Sequence, residues 1–185
     1  MVRIFREGPG PNALAIAMAG VRLGERQLLI GDDGDLFAEL ARKVGLTGRS
    51  LAMAGTDSSA NRLRRAASNE GVLLEVDGGL PEIAADDQSF DVVLVDAGPT
   101  LFSLDAAQRS ALACSVFRVL RSGGRVLVSE RGTPILFGLT RLPLRGVDAF
   151  RSQGGATAFL ESGGFRSVRL IAEREGQRFT EGRKP

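Results

Sequence analysis

Short apolar runs alternate along the chain with segments whose apolar residues recur three and four positions apart. The apolar runs predict buried strands at residues 28–30, 50–54, 72–76, 91–96 and 125–129. The helical spacing predicts helices at 36–44, 57–69, from 105 to a stop at 122–124, and around 157–160. The final stretch, 165–184, alternates as strands do on both sides of a Glu175-Gly176 turn.

This order of elements predicts an α/β fold. Repeated β-α-β units build a parallel sheet with helices on both faces, and the unbroken apolar run at 91–96 is typical of a central strand covered on both sides. The last two strands add an antiparallel edge. We therefore expect a Rossmann-like, doubly wound, mostly parallel seven-stranded sheet.

Two segments interrupt the alternation. Residues 1–12 are rich in Gly and Pro and are expected to form an irregular arm before a single domain at 13–185. Residues 131–150 are apolar but broken by Pro134, Pro143 and several glycines. In doubly wound folds ligands bind beyond the carboxyl ends of the strands, so this segment could cap a substrate pocket, contact a protein partner, or simply pack on the domain.

The composition narrows the chemistry that the chain can perform. It has 185 residues, no His, Tyr or Trp, and a single cysteine, Cys114. A Ser-His-Asp arrangement, a His-liganded zinc site, an internal disulfide and an iron–sulfur cluster are therefore excluded. Cys114 is expected to be a buried, inert thiol on a helix. Any catalysis must come from carboxylates, hydroxyls, arginines or a bound cofactor.

No apolar run is long enough to span a bilayer, and the first residues lack an apolar signal core, so a cytoplasmic protein is expected. Charge is unevenly distributed. Residues 32–105 hold fourteen acids against six bases, whereas 106–185 hold six acids against fourteen bases. The favoured interpretation is that the halves neutralise each other or face solvent, and the absence of a basic run with interleaved aromatics makes nucleic acid an unlikely partner.

The order of motifs resembles the class I S-adenosylmethionine-dependent methyltransferases, in particular the quinone-methylating (UbiE-like, type 11) group. The most specific motifs are Ser89-Phe90-Asp91-Val92-Val93 and Arg118-Val119-Leu120-Arg121-Ser122-Gly123-Gly124-Arg125. The matching segments, in chain order, are 24–31, 54–59, Asp77 with Leu80-Pro81, 87–93, 117–128 and 159–165. The resemblance covers residues 12–180.

The resemblance implies a set of contacts to S-adenosylmethionine. A turn after the first strand would approach the cofactor, an acid after the second would accept both ribose hydroxyls, and residues after the third and fourth strands would contact the adenine and the methyl donor. The positions that match are Gly31, Asp33, Gly34, Asp57, Ser58, Asp77, Gly78 and Asp96. Asp57 could equally be only a helix N-cap. No catalytic residue is identified.

The glycine-rich turn departs from the family pattern of an acid followed by three alternating glycines. Only Gly31 is in register, because Leu29 replaces the acid while Asp33 and Asp35 replace the other glycines. An Asp at these positions is expected to add bulk and backbone cost, which Gly34 could partly relieve. A helix cap is a simpler explanation of the acids than a metal site, because the spacing of a calcium loop is missing.

Two functions follow from the resemblance and its departures. The first is a methyltransferase that uses S-adenosylmethionine to methylate a small molecule by in-line transfer, because that chemistry needs no His or Tyr. The second is a methyltransferase-like protein with lost or weakened cofactor binding that acts as a binding or scaffolding subunit, with 131–150 as its partner surface.

Overall fold

A computed structural model describes residues 12–70, 74–131, 135–136, 139–140, 146–174 and 176–185 of the chain. Within these ranges, the side chains of 69–70, 74–78, 135–136 and 139–140 are not described. The expected arm at 1–12 therefore lies outside the described residues except for Asn12, and most of the 131–150 segment lies outside them too.

The described strands are β1 (Arg26–Ile30), β2 (Arg49–Ala54), β3 (Leu74–Gly78), β4 (Phe90–Ala97), β5 (Leu120–Arg131), β6 (Ile135–Leu136), β7 (Leu139–Thr140), β8 (Arg169–Arg174) and β9 (Gln177–Arg183). Seven of them form one sheet in the order β3-β2-β1-β4-β5-β9-β8. β1 to β5 run parallel, and β9 and β8 add an antiparallel edge. The predicted fold class is confirmed.

The described helices are α1 (Ala13–Ala19), α2 (Gly34–Val44), α3 (Asp57–Glu70), α4 (Pro99–Phe102), α5 (Ala106–Val119), α6 (Val147–Ser152) and α7 (Gly155–Ser162). Buried side chains form two clusters, one on each face of the sheet. Alternate residues of β4 divide between them, with Val93 and Val95 in one cluster and Leu94 in the other. This division is the pattern expected of a central strand covered on both faces.

Several predicted boundaries move. α5 begins where predicted, with Asp105 and Gln108 forming a reciprocal cap, but it ends at Val119 rather than at the glycine pair. Leu120 is already extended and pairs with Phe90, so Gly123 lies within an irregular part of β5. Pairing with β4 therefore overrides the glycine stop signal. β3 is predicted two residues too early, and residues 71–73 lie outside the described part.

The sequence prediction misses α1, although the chain marks its end. Gly20 adopts a left-handed conformation (φ 57°) and closes the helix by donating its N–H to Ile16 O. The short helices α4 and α6 were also not predicted, because four to six residues carry little periodicity.

Carboxylates of the acidic half and arginines of the basic half meet in the fold. Ion pairs join Asp33 to Arg131 (2.9 Å), Asp87 to Arg118 (2.7 Å) and Asp91 to Arg121. The opposite charges along the chain are thus partly neutralised by tertiary pairing. In the described part of the chain, no helix has both the length and the apolar character that a bilayer crossing requires.

Gly34 allows α2 and α3 to approach closely. A Cβ at this position would lie 2.9 Å from the Cβ of Ala66, and the backbone of Gly34 has no positive φ that would demand glycine. We therefore interpret this glycine as a packing residue and not as the relief of a strained turn, which corrects the expectation from the sequence.

Replacing Gly34 with alanine is expected to lower the free energy of unfolding by about 1–3 kcal/mol, the typical cost of overpacking. Ala66→Gly alone should cost about 1 kcal/mol through helix propensity. The double variant should be more stable than the sum of the two changes predicts, because it lacks the Ala66 methyl group with which a Cβ at position 34 would collide. Urea unfolding measures all three variants, and strictly additive effects would contradict the packing role.

Candidate functional site

A cleft of about 390 Å³ lies where the carboxyl ends of β1, β4 and β5 meet. Its volume lies near the low end of the roughly 300–1,000 Å³ usual for small-molecule pockets. The described lining residues are Asp32, Asp33, Gly34, Asp96, Ala97, Gly98, Pro99 and Arg131. Three carboxylates and one guanidinium therefore share a small, open site at the edge of the sheet where doubly wound folds bind their ligands.

Asp32 ties together the loops that follow β1, β2 and β4. Its carboxylate accepts hydrogen bonds from the backbone N–H of Thr100 (3.0 Å) and from the Thr100 hydroxyl (2.7 Å). That hydroxyl in turn accepts the backbone N–H of Gly55 at 3.0 Å. The chain of bonds also caps the first turn of α4, so the geometry of all three loops depends on one carboxylate.

Asp33 is the N-cap of α2. One carboxylate oxygen accepts the backbone N–H of Leu36 (2.9 Å), and the other accepts Nη2 of Arg131 at the same distance. Its φ is −90°, an ordinary value for any residue. The expected backbone cost of an Asp at a glycine position is therefore absent, and its charge is partly neutralised by the arginine.

The other two substitutions of the glycine-rich turn do not face the cleft. The Leu29 side chain is fully buried in the core cluster beneath α2, and Asp35 is exposed in the first turn of that helix. Of the three substituted positions, only Asp33 therefore lines the cleft. Leu29 points into the core because side chains alternate along a strand, and Asp35 has already turned away with the helix.

Arg131 and Asp96 face each other across the cleft. Nε of Arg131 lies 3.5 Å from Oδ1 of Asp96, and both of these buried atoms lack a hydrogen bond. The guanidinium is held instead by Nη2, which donates to Asp33 and to the side-chain oxygen of Asn12 (3.0 Å). These two atoms at the carboxyl ends of β4 and β5 thus form a buried ion pair that no hydrogen bond completes.

The charged side chains that line the cleft influence the pKa values of Asp96 and Arg131. Burial, opposed only in part by Arg131, raises the pKa of Asp96 from 3.8 to about 6. The nearby carboxylates of Asp33 and Asp32 also contribute to this raised value. Burial alone would lower the pKa of Arg131, but attraction to Asp96 and Asp33 outweighs it, and the pKa is raised. The arginine has two partners, whereas Asp96 has one cation and two like charges.

No family model matches the chain. The ubiquinone/menaquinone biosynthesis C-methyltransferase UbiE of Salmonella arizonae is 32% identical over 130 residues, covering 68% of this chain and 50% of that protein. The UbiE protein of Salmonella newport matches to the same extent. The chain thus spans about half the length of the curated relatives it matches.

A S-adenosylmethionine-dependent methyltransferase from Aquifex aeolicus has the same fold, with a TM-score of 0.72 at 16% identity over 94% of this chain and 93% of that one. Together with the sequence similarity to the UbiE proteins, this places the chain in the class I S-adenosylmethionine-dependent methyltransferase superfamily. The methyltransferase SibL (TM-score 0.65, 18% identity, 95% and 55% covered) and the [4+2]-cyclase SpnF (0.64, 15%, 92% and 78%) also share the fold.

The remaining residues implied by the methyltransferase resemblance lie at or just beyond the carboxyl ends of β1, β2 and β3. Gly31 follows β1 directly and lies so close to β4 that a Cβ would be 2.9 Å from the Cβ of Asp96. Asp57 and Ser58 are exposed at the start of α3, beyond the carboxyl end of β2. The N-cap of that helix is Thr56, whose hydroxyl accepts the N–H of Ser59, so the cap interpretation of Asp57 is wrong.

Asp77 and Gly78 end β3, opposite Met53 and Ala54 of β2, and their side chains lie outside the described residues. The role of all these positions in cofactor binding stays a prediction. Sequence reasoning missed Arg131, Asn12 and Thr100 as site residues. For Arg131, the only sequence feature that could have indicated a site residue is its position at the end of an apolar strand.

Two further expectations concern Cys114 and metals. Cys114 is exposed, whereas the sequence predicted a buried thiol. It lies at the edge of the apolar face of α5, where Ala113 is still buried and Ser115 is partly exposed. Among the described residues, no group of three or more acidic or thiol side chains is arranged to hold a metal ion.

The raised pKa of Asp96 makes stability depend on pH. Folding favours the protonated acid, so its contribution is fully present below pH 4 and is lost as the pH rises through about 6. Asp96→Asn avoids that loss and should stabilise the fold above pH 7 by about 2–3 kcal/mol, at 1.36 kcal/mol per pKa unit.

The measurement is thermal or urea unfolding of both proteins from pH 4 to pH 8. The gain should shrink towards zero at the acidic end. Asp86→Asn, at an exposed position outside the cleft, serves as the control and should show no such trend. A variant that is less stable than the wild type at every pH would show that the ion pair with Arg131 outweighs the burial of Asp96.

Proposed function

We propose that this chain is a S-adenosylmethionine-dependent methyltransferase that acts on a small molecule. The observation that carries the proposal is the pair of unsatisfied buried atoms, Asp96 Oδ1 and Arg131 Nε, at the carboxyl ends of β4 and β5. Buried polar groups without partners are uncommon in native proteins and cluster at sites of function.

The chemistry of the cleft fits this cofactor. S-adenosylmethionine carries a positively charged sulfur as well as an ammonium and a carboxylate, and the cleft offers three carboxylates and one guanidinium. Asp32 and Asp96 would place negative charge near the sulfonium, and exposed Asp57 would accept the ribose hydroxyls. When bound, the cofactor supplies an activated methyl group, and the protein must hold donor and acceptor in line.

The residues of the chain contribute orientation rather than covalent chemistry. The Asp32–Thr100–Gly55 hydrogen bonds fix the loops on which a cofactor would rest. The tight approach of Gly31 to Asp96 fixes the floor of the cleft. These constraints keep the reactants from separating, which is the main source of rate in a transfer whose activation resides in the cofactor.

The nature of the acceptor is part of the proposal. The curated relatives are described as ubiquinone/menaquinone biosynthesis C-methyltransferases, which supports a small aromatic acceptor for this chain as well. We propose that residues 131–150 border the acceptor side, with contact to a protein partner as the alternative. The cytoplasmic location and the absence of nucleic-acid binding stay predictions.

Isothermal titration with S-adenosylmethionine tests the proposal directly. We expect saturable binding in the micromolar range and, on addition of a quinol acceptor, formation of S-adenosylhomocysteine. No binding at millimolar cofactor would overturn the methyltransferase proposal and leave the binding or scaffolding role as the alternative.

Asp57→Asn should weaken the cofactor about tenfold or more, because hydrogen bonds to a charged acceptor are worth about 1.5–3 kcal/mol. Asp35→Asn is a matched control, since both carboxylates are exposed in the first turn of a helix. The control should bind like the wild type. Equal affinity of the two variants would remove Asp57 from the site.

A further inference from the structure

Two loops lie side by side at the amino ends of β1 and β2, at the opposite edge of the sheet from the cleft. Residues 20–25 join α1 to β1, and residues 45–48 join α2 to β2. The backbone N–H of Gly24 donates to Val44 O at 2.8 Å, which ties the first loop to the end of α2 where the second begins. The parallel pairing of β1 with β2 fixes the two loops as neighbours.

Each loop exposes a leucine. Leu23 is 76% exposed and Leu46 is 88% exposed, and the described part of the chain exposes one other large apolar side chain, Leu170 at 47%. Leu23 lies against the second loop, because a Cβ on Gly45 would be 2.6 Å from its Cδ1. Leucines exposed singly are ordinary on a protein surface, but two on adjoining loops form an apolar patch that the fold does not bury. We call this pair of loops the leucine tip.

Basic residues flank both leucines along the chain. Segments 20–26 and 42–49 contain five basic side chains and a single acidic one. The basic residues, all of them exposed, are Arg22, Arg26, Arg42, Lys43 and Arg49. The leucine tip therefore combines an apolar centre with positively charged flanks.

Two carboxylates lie within or against these segments, and arginines hold both of them. Glu25, the acidic residue of the first loop, pairs with Arg125 at 3.2 Å. Asp91 of β4 accepts the backbone N–H of Arg26 at 2.7 Å and pairs with the side chains of Arg26 and Arg121. These acids are thus neutralised by partners of their own, and the tip keeps an excess of positive charge.

The charge decides which kind of surface fits the leucine tip. In a symmetric dimer the same patch meets itself, so the basic side chains would face their own copies and repel them. Two leucine side chains also bury far less area than the roughly 1,200 Å² of a stable protein interface. An anionic bilayer suits both features, because it attracts basic side chains and accepts apolar ones below its headgroups without a complementary groove.

We propose that the leucine tip docks on membranes that contain anionic lipids. Leu23 and Leu46 enter the boundary between headgroups and acyl chains, and the flanking basic residues contact lipid phosphates. This inference goes beyond the proposed function and does not depend on it. The tip lies at the amino ends of β1 and β2, whereas the cleft lies at the carboxyl ends of the strands, so docking leaves the cleft open to water.

Vesicle flotation tests the proposal. Vesicles of phosphatidylcholine alone are compared with vesicles made of equal parts of phosphatidylcholine and phosphatidylglycerol. The wild type should bind the anionic vesicles about tenfold more tightly or better, and added salt should reduce that preference. The double variant Leu23→Ser, Leu46→Ser should bind the anionic vesicles about tenfold more weakly or worse, because the apolar side chains no longer enter the bilayer.

Matched controls separate the tip from the rest of the surface. Leu170→Ser changes the third exposed leucine, on the edge strand β8, and should leave binding unchanged. The double variant Arg22→Gln, Lys43→Gln should weaken binding to anionic vesicles about tenfold. Arg64→Gln, Arg65→Gln removes the same net charge from the exposed face of α3, and it should change binding by less than about threefold.

A fluorescent probe measures insertion directly. The chain contains no Trp, so a single introduced Trp reports on one position. In Leu46→Trp, anionic vesicles should shift the emission to the blue, and brominated lipid should quench it. Leu170→Trp, at the exposed leucine outside the tip, should show neither effect. This measurement keeps an intact tip and does not rely on the serine variants.

Several results would overturn the proposal. One is a wild type that binds neither kind of vesicle, or binds both equally. Another is a Leu23→Ser, Leu46→Ser variant that binds as the wild type does, because adhesion would then be electrostatic alone. Sedimentation velocity tests the competing occupant: a wild-type dimer that the same double variant abolishes would show that a second copy of the chain covers the tip. Thermal unfolding of the variant should match the wild type, since both leucines are exposed.

Discussion

The parallel pairing of β1 with β4 and of β4 with β5 is the constraint on which the site depends. Register places Ile30 beside Val95, and Asp96 beside Ser129. Because these strands are buried on both faces, a slip of one residue would move each apolar side chain into the opposite core cluster, where it would no longer fit its neighbours. The core therefore determines the register. The register in turn brings Gly31, Asp96 and Arg131 to a common edge.

Burying charge at that edge is costly, and the molecule recovers only part of the cost. Arg131 neutralises one negative charge among three carboxylates. Burial and the remaining negative charge raise the pKa of Asp96. A buried ion pair without complete hydrogen bonding is seldom a source of stability. An apolar edge would serve folding better, so the retained charges are more readily explained by a ligand that completes their bonding than by the needs of the fold.

The sequence is enough to predict the sheet because each strand and helix carries its own periodic pattern. It fails where a long-range contact decides the outcome. α5 ends three residues before Ser122 because Leu120 pairs with Phe90 on another strand. Thr56 caps α3 although Asp57 is an equally suitable cap residue. The salt bridge of Arg131 with Asp33 joins residues that are 98 positions apart in the sequence, so no local sequence pattern predicts it.

The altered glycine motif illustrates why side-chain direction matters more than a count of substitutions. Leu29 belongs to the core and Asp35 to the solvent, so neither alters the cleft. Only Asp33 does, and its backbone is unstrained. Since the same fold also occurs in a protein described as a [4+2]-cyclase, architecture alone does not determine chemistry. In this chain one arginine lies between two carboxylates in the cleft, and the chemistry has to be argued from such side chains rather than from the fold.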